Sequence, residues 1–121
     1  MRPAENHSLG VDLVEYEKAS DLYRNHRHRL GTFLNRSESR YLSAKGLPPE
    51  KRLAEVLAAK EALFKAAGGS WMGVSGFAKI ALTARGGRLR PAGATSKRYR
   101  FRFLRADKYV VAHCEKICAG T

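Results

Sequence analysis

Hydrophobic and polar residues alternate along residues 7–16, HSLGVDLVEY, and this alternation predicts a first β-strand. One side of the alternation carries Leu9, Val11 and Leu13, and the other side carries Asp12. An acidic side chain is therefore expected within an otherwise apolar strand.

Beyond this strand, the apolar residues recur at the spacing of a helix. We expect a long helix over residues 15–34 and, within residues 35–47, a short helix followed by a loop, with Asn35 or Ser37 as the capping residue and Gly46 as the stop. Residues 48–69, PPEKRLAEVLAAKEALFKAAGG, give the clearest helical signal. Proline is tolerated at a helix start, nearly every interior residue favours a helix, and two glycines end it.

The pattern changes to that of β-strands beyond Gly69. In the segment KRYRFRFLR the aromatic residues alternate with arginines, so the aromatic residues are expected on one face of a strand and the arginines on the other. We expect an α+β fold of one domain spanning residues 1–121, with helices packed on an antiparallel sheet. The predicted strands are 76–85, 88–91, 98–105 and 109–117, with a turn at Gly86 and Gly87.

Composition narrows the classes of protein that need to be considered. The chain has 121 residues, of which 44% are hydrophobic, and its apolar runs are far shorter than the roughly 20 residues of a membrane-spanning helix. Its N-terminus has no apolar stretch of signal-peptide length, and its two cysteines lie close together near the C-terminus. We therefore expect a cytoplasmic protein that does not enter a membrane.

The charge balance points to an acidic partner. Lysine and arginine number 23 against 11 acidic residues, giving a formal net charge of +12. Nucleic acid, an acidic protein and a polyphosphate ligand would all be attracted by such a field, and charge alone does not choose among them.

Two charged residues stand out in the helix over 48–69. Its apolar stripe is predicted to centre on Leu53, Leu57 and Phe64, and Glu61 and Lys65 lie on a neighbouring strip of the helical wheel. As an exposed pair four residues apart they would contribute only about 0.2–0.5 kcal/mol to helix stability. The alternative is a charged site at the edge of a buried face.

Asp12 favours the second interpretation. A carboxylate in an apolar strand is costly to bury unless it is paired, hydrogen-bonded or bound to metal. If the strand packs beside the helix, Asp12 and Glu61 would meet as two oxygen ligands for Mg²⁺, which commonly takes one or two protein carboxylates and completes its shell with water and phosphates. Lys65, one turn beyond Glu61, would then face those phosphates.

Three segments in order, GVDLVEYEK, FLNRSESRYL and LAEVLAAKEALFKAAG, resemble the holo-acyl-carrier-protein synthase family of 4′-phosphopantetheinyl transferases. The resemblance implies the family's α+β fold and its reaction. That reaction is the Mg²⁺-dependent transfer of 4′-phosphopantetheine from coenzyme A to a serine of an acyl carrier protein, with release of adenosine 3′,5′-bisphosphate. The resemblance also implies a homotrimer, with the coenzyme A site between subunits.

The resemblance assigns roles to individual residues. Asp12 and Glu61 match the family's metal-binding acids, and Lys65 matches its phosphate-contacting lysine, with Glu61 also placed to take up the serine proton. Two further residues are expected at the coenzyme A site: Gly68, in the loop after the helix where a nucleotide can approach the backbone, and Arg105.

The chain departs from the family pattern at two places. Val56 stands where the family usually has an arginine, five residues before the helix glutamate. Arg102 and Arg105 stand where it typically has a serine and a histidine, and an arginine cannot act as a base near neutral pH. A weakened enzyme, an altered carrier specificity and a catalytically silent member of the family all stay open.

The basic surplus has two interpretations. The run from Arg24 to Arg29 lies in the region where the family docks its acidic carrier protein, which would be attracted electrostatically, although a solvated helix face would look the same. The competing function is a nucleic-acid-binding module that uses the arginines and aromatic residues of 98–105. That function leaves Asp12 and Glu61 unexplained, so no nucleic-acid partner is expected.

Overall fold

The computed structural model describes residues 9–32, 34–44, 46–67, 81–85, 88–92 and 98–117. Three α-helices and five β-strands are formed within these ranges. The elements in chain order are β1 (Leu9–Glu15), α1 (Tyr16–Asn25), a 3₁₀ segment (Arg27–Thr32), α2 (Arg36–Leu42), α3 (Pro49–Ala66), β2 (Leu82–Arg85), β3 (Arg88–Pro91), β4 (Tyr99–Arg105) and β5 (Tyr109–Lys116).

The strands form two antiparallel groups. One is a three-stranded sheet in the order β1-β5-β4, and the other is the β2-β3 hairpin. In the central row of the three-stranded sheet, Asp12 lies opposite Ala112, which lies opposite Phe103. The expected α+β fold is confirmed, and Asp12 is on the face of the sheet that carries the aromatic residues of β4.

Helix α3 lies across the three-stranded sheet and forms most of the core. It begins at Pro49 as predicted, and its buried residues extend nearly all round the helix. Leu53 is fully buried, whereas Leu57 and Phe64 are only half-buried, so the predicted stripe was too narrow. The reason is that α3 contacts β1 and β5 on one side and α1 and α2 on others, which leaves little of its surface for solvent.

The predicted long helix over 15–34 was wrong in its extent. The α-helix ends at Asn25, because His26 leaves helical geometry at φ −133° and ψ 29° while its N–H still donates to the Leu22 carbonyl at 2.9 Å. The 3₁₀ segment then continues the chain and buries Leu30. Its apolar spacing resembles that of an α-helix closely enough to mislead a pattern-based prediction.

The short helix α2 begins with a capping box. The Asn35 side chain accepts from the Glu38 N–H at 2.7 Å, and the Glu38 carboxylate accepts from the Asn35 N–H at 2.8 Å. Of the two predicted caps, Asn35 is therefore confirmed, while Ser37 instead contacts the Thr83 hydroxyl of β2 at 3.3 Å. The chain after α2 turns at Gly46, whose φ of 111° is a conformation that favours glycine.

Strand β3 has the predicted bounds, Arg88–Pro91, whereas β2 begins later than predicted. Strand β2 begins at Leu82 rather than at residue 76, and residues 76–80, Gly86 and Gly87 lie outside the described residues. In β4 the side chains of Tyr99, Phe101 and Phe103 are half-buried while Arg100 and Arg102 are exposed, which confirms the predicted alternation.

Among the described residues, no helix combines the length and the apolar character that crossing a membrane requires.

Candidate functional site

The first strand and the main helix touch backbone to backbone at Gly10. A Cβ atom placed on Gly10 would overlap the carbonyl oxygen of Ala62 and would lie 2.7 Å from the backbone nitrogen of Ala66. Glycine is therefore required at this crossing of β1 and α3. Because side chains two residues apart in a strand share a face, Asp12 also faces α3.

Asp12 forms an ion pair with Lys65 across this crossing. The Lys65 Nζ donates to Asp12 Oδ1 at 3.1 Å and to the Val11 carbonyl oxygen at 3.3 Å. The Lys65 side chain is 47% exposed and that of Asp12 is 20% exposed, so solvent and solutes reach the pair. The structure thus joins two of the residues that the sequence singled out, 53 positions apart in the chain.

Glu61 lies one helical turn before Lys65 and is half-buried. Residues four apart on a helix have Cβ atoms roughly 5–6 Å from each other, which places Glu61 beside the Asp12–Lys65 pair. The exposed Glu61–Lys65 ion pair weighed from the sequence is not formed among the described residues, since Lys65 turns to β1 and pairs with Asp12.

The donor set of this corner fits Mg²⁺. Asp12 and Glu61 offer carboxylate oxygens, which are the ligands that Mg²⁺ prefers, and the exposed Lys65 leaves room for water and phosphate oxygens to complete the shell. In the described part of the chain no group of three or more His, Cys, Asp or Glu side chains is arranged to hold a metal. One or two protein carboxylates are the usual number for Mg²⁺ where a substrate supplies phosphates.

Lys60, the third charge of the segment AAKEALFKA, has a structural role. Its Nζ donates to both carboxylate oxygens of Glu38, at 3.1 and 3.4 Å, and its side chain is 1% exposed. Glu38 also accepts from the Leu82 N–H at 2.7 Å. This buried ion pair joins α2, α3 and β2, and it lies away from the Asp12–Lys65 corner.

Arg105 contacts a different acidic residue. Its Nε donates to Glu55 Oε2 at 2.5 Å, and Tyr41 Oη donates to Glu55 Oε1 at 2.6 Å. The hydrogen bond to Glu55 raises the pKa of Arg105 above its ordinary value. Burial, followed by the hydrogen bond to Glu55, raises the pKa of Tyr41 to about 12, so Tyr41 is a neutral donor at physiological pH.

The remaining predicted positions are distributed as follows. Arg105 is on the helix-facing side of β4, whereas Arg102 is exposed on the opposite side. Val56 is fully buried and packs in the core, so its place in α3 offers no ligand contact. Gly68 lies outside the described residues.

The basic run between α1 and the 3₁₀ segment is exposed to solvent. Arg27 lies over the Tyr23 ring at 4.4 Å from its centroid, and Arg24 approaches Glu50 at 3.8 Å. His28 and Arg29 are also exposed. The expected cationic surface is therefore present at this end of the molecule.

The burial and pairing of Glu55 were not predicted from the sequence. Glu55 lies on the same strip of α3 as Arg52, Ala59 and Ala62. All four residues are buried. An acidic residue flanked by alanines at this spacing was the available signal that it is buried and paired. Its partner Arg105 is 50 positions away and could not be found from a local pattern.

Comparison with solved structures finds the same fold in several bacterial proteins. The crystal structure of Helicobacter pylori holo-[acyl-carrier-protein] synthase in complex with coenzyme A matches with a TM-score of 0.73 and 17% identity, covering 90% of this chain and 99% of the other. The Neisseria meningitidis holo-[acyl-carrier-protein] synthase matches with a TM-score of 0.71 and 23% identity, covering 92% and 98%. Search of curated protein sequences returned no match.

The family comparison covers most of the chain. Residues 8–114 match the model that describes the 4′-phosphopantetheinyl transferase superfamily, and this range contains the Asp12–Lys65 corner, Glu61 and Arg105. The chain therefore belongs to the 4′-phosphopantetheinyl transferase superfamily.

Proposed function

We propose that this protein transfers 4′-phosphopantetheine from coenzyme A to a serine hydroxyl of an acyl carrier protein. The observation that carries the proposal is the Asp12–Lys65 contact at 3.1 Å, with Glu61 one helical turn away, within the range that matches the superfamily. Two acids and a lysine at an accessible corner suit a reaction that takes place at a pyrophosphate.

The reaction requires a P–O bond to form and another to break. The serine oxygen attacks the phosphorus that carries pantetheine, the bond from that phosphorus to the bridging oxygen breaks, and adenosine 3′,5′-bisphosphate leaves. Glu61 accepts the serine proton, directly or through one water. Lys65, released from Asp12, donates to the pyrophosphate oxygens and stabilises their negative charge.

Asp12 and Glu61 are the residues proposed to hold Mg²⁺. A bound Mg²⁺ would neutralise charge on the phosphate oxygens and help to orient them. With a cation held there, Asp12 would no longer need Lys65 as its counter-charge, and the exposed Lys65 ammonium would be available for substrate.

The proposal extends to partners and assembly. We expect an acidic acyl carrier protein to dock on the exposed basic run that contains Arg24, Arg27 and Arg29. Gly68 and Arg105 are proposed to contact coenzyme A, and the protein is proposed to act in the cytoplasm as a homotrimer.

The test is to incubate the protein with coenzyme A, an apo acyl carrier protein and either Mg²⁺ or excess chelator. The expected result is an increase in carrier mass by one phosphopantetheine that appears only with Mg²⁺. Asp12→Asn and Glu61→Gln should each lower the rate by roughly 100-fold or more.

The matched control is Asp107→Asn, which removes an exposed carboxylate in the turn between β4 and β5. This variant should transfer at the rate of the unchanged protein. Absence of transfer to several carriers would overturn the enzyme proposal, and carrier binding without transfer would indicate a catalytically silent member of the family. Unchanged rates in both carboxylate variants would remove the proposed metal site.

A further inference from the structure

The face of the three-stranded sheet that lies opposite α3 is here called the outer face. Its side chains alternate along β5 with the buried Ala112 and Cys114, which face the helix. Three consecutive rows cross the strands in the order β1, β5, β4: Leu9, Glu115 and Arg100; Val11, His113 and Arg102; Leu13, Val111 and Leu104. The central residue of these rows is a histidine.

His113 carries a polar atom that the single chain leaves unsatisfied. Among the described residues, its Nδ1 is the one buried side-chain nitrogen or oxygen atom without a hydrogen-bond partner. Such an atom is unfavourable, because its hydrogen bonds to water are lost and nothing replaces them. An apolar side chain would avoid this loss and would match Val11 and Val111 beside it. The use of histidine therefore calls for an explanation beyond the stability of one chain.

The charges that face His113 come from all three strands. On β4, Arg102 lies opposite His113 and is exposed. On β5, Glu115 lies one row away and accepts from Arg100 at 2.6 Å, which holds the pKa of Glu115 below its ordinary value and keeps it ionised and paired in weak acid. On β1, the nearest charge on this face is Glu15, two rows away. Among the described residues Arg102 forms no ion pair, so a positive charge is left unbalanced beside the imidazole.

The outer face suits another copy of this chain better than an acidic partner. Its β1 edge exposes Leu9, Val11 and Leu13 and carries no charge between them. An acidic partner would gain nothing from this apolar edge and would find its cations in the basic run from Arg24 to Arg29. In a closed ring of identical chains the same surface regions recur at every contact, so each copy would supply an apolar edge to the others.

Association through this face makes the charge of His113 matter. Every copy would bring one His113 and one Arg102 into a region that contains less water. A neutral imidazole adds no charge there, and its unpartnered Nδ1 is available to a neighbouring copy. A protonated imidazole adds one positive charge per copy, which the arginines repel and which loses hydration on burial. Histidine is the side chain that ordinarily gains or loses its charge close to neutral pH.

We propose that His113 is a pH-sensitive switch of self-association. Neutral His113 allows the chains to assemble through the outer face, and its protonation in weak acid separates them. The inference rests on the proposed function, of which the homotrimer is a part. Asp12 lies on the face that contacts α3, so the switch acts through assembly and not through the proposed metal ligands.

The primary test is sedimentation velocity between about pH 8 and about pH 5.5 at constant ionic strength and several protein concentrations. The unchanged protein should be assembled at the higher pH. The concentration at which half of it is dissociated should rise by roughly 10-fold or more across this range, because assembly excludes a proton from each copy. An oligomer that is equally stable at both ends of the range would overturn the inference.

Three substitutions at one position separate charge from shape. His113→Gln and His113→Phe put neutral side chains in place of the imidazole, so both should stay assembled down to about pH 5.5. His113→Lys carries a positive charge throughout this range and should give single chains even at about pH 8. Circular dichroism establishes that each variant is folded. The pH dependence of the unchanged protein, if it persisted in either folded neutral variant, would contradict the role of His113.

The matched control is His28→Gln, which removes an exposed histidine from the 3₁₀ segment. This variant should dissociate over the same pH range as the unchanged protein. Assembly that became independent of pH in this control would assign the effect to the overall charge of the chain and would overturn a switch at His113.

The outcome is independent of the transfer reaction, because assembly is measured without coenzyme A or a carrier protein. If the protein dissociates in acid as described yet transfers nothing, the enzyme proposal fails while the switch stands. If the protein transfers phosphopantetheine but is a single chain at every pH, the enzyme proposal stands while the switch fails.

Discussion

Two lysines five positions apart in α3 lie in different surroundings. Lys60 is buried against Glu38, and Lys65 is half-exposed against Asp12. Removing one member of a buried pair leaves an uncompensated charge, whereas an exposed pair contributes little to stability.

We predict that Lys60→Met lowers the free energy of unfolding by about 3–5 kcal/mol. Lys65→Met should lower it by less than about 1 kcal/mol while abolishing most of the transfer activity. Urea denaturation and the carrier-mass assay measure the two quantities. Equal destabilisation by both substitutions would contradict the assignment of Lys60 to structure and Lys65 to the site.

At the residue scale the sequence supplied the identities of the site but few of its contacts. The strand pattern and the family resemblance singled out Asp12 and Lys65 before the structure joined them. The Glu55–Arg105 pair was out of reach, because it links a helix to a strand 50 positions later. A contact between distant elements depends on how those elements pack, which no local periodicity encodes.

At the element scale, the crossing of β1 and α3 depends on Gly10. A side chain there would overlap the Ala62 carbonyl oxygen, and neither backbone can move away without separating the strand from the helix.

We predict that Gly10→Ala destabilises the protein by about 3 kcal/mol or more and also lowers transfer activity by displacing Asp12. Thermal and urea denaturation measure the first effect. Gly31→Ala is the matched control, because nothing lies within 4 Å of a Cβ atom at that position, and it should change stability by no more than about 0.5 kcal/mol. A stable, active Gly10→Ala protein would refute the close approach of strand and helix.

Elements whose residues all favour one type of secondary structure were predicted well. Elements at which the backbone changes from one type to another were not. Helix α3 was found from its proline start and its helix-forming residues, within three residues of its observed end at Ala66. The predicted long helix failed at His26, where one residue outside the helical region converts the following turn to a 3₁₀ segment with similar apolar spacing.

At the scale of the whole molecule, the face of the sheet opposite α3 exposes an apolar strip along β1 and one apolar row across the three strands, while Arg100 and Arg102 lie in its other rows. Leu9, Val11 and Leu13 of β1 are 43%, 46% and 50% exposed, and Leu104 of β4 is 62% exposed. The row that contains Leu13, Val111 and Leu104 crosses all three strands. An exposed apolar strip of this kind is common where copies of a chain associate, which supports the proposed homotrimer.

We predict that native mass spectrometry detects the mass of three chains and that Leu13→Asp gives folded single chains. Because the proposed coenzyme A site lies between subunits, this variant should also lose transfer activity. Ser39→Asp, which adds the same charge at an exposed position of α2, should stay trimeric and active. A single-chain mass for the unchanged, active protein would refute the trimer.

The backbone contact at Gly10 also has a consequence for engineering. Because no side chain separates β1 from α3 at that point, the separation of Asp12 and Glu61 is set by the main chain and not by the size of core residues. Core positions on the opposite side of α3, where Leu53 faces the other helices, can then be exchanged for larger or smaller apolar residues without altering that separation. Thermostable variants obtained there should retain the proposed Mg²⁺ dependence of transfer.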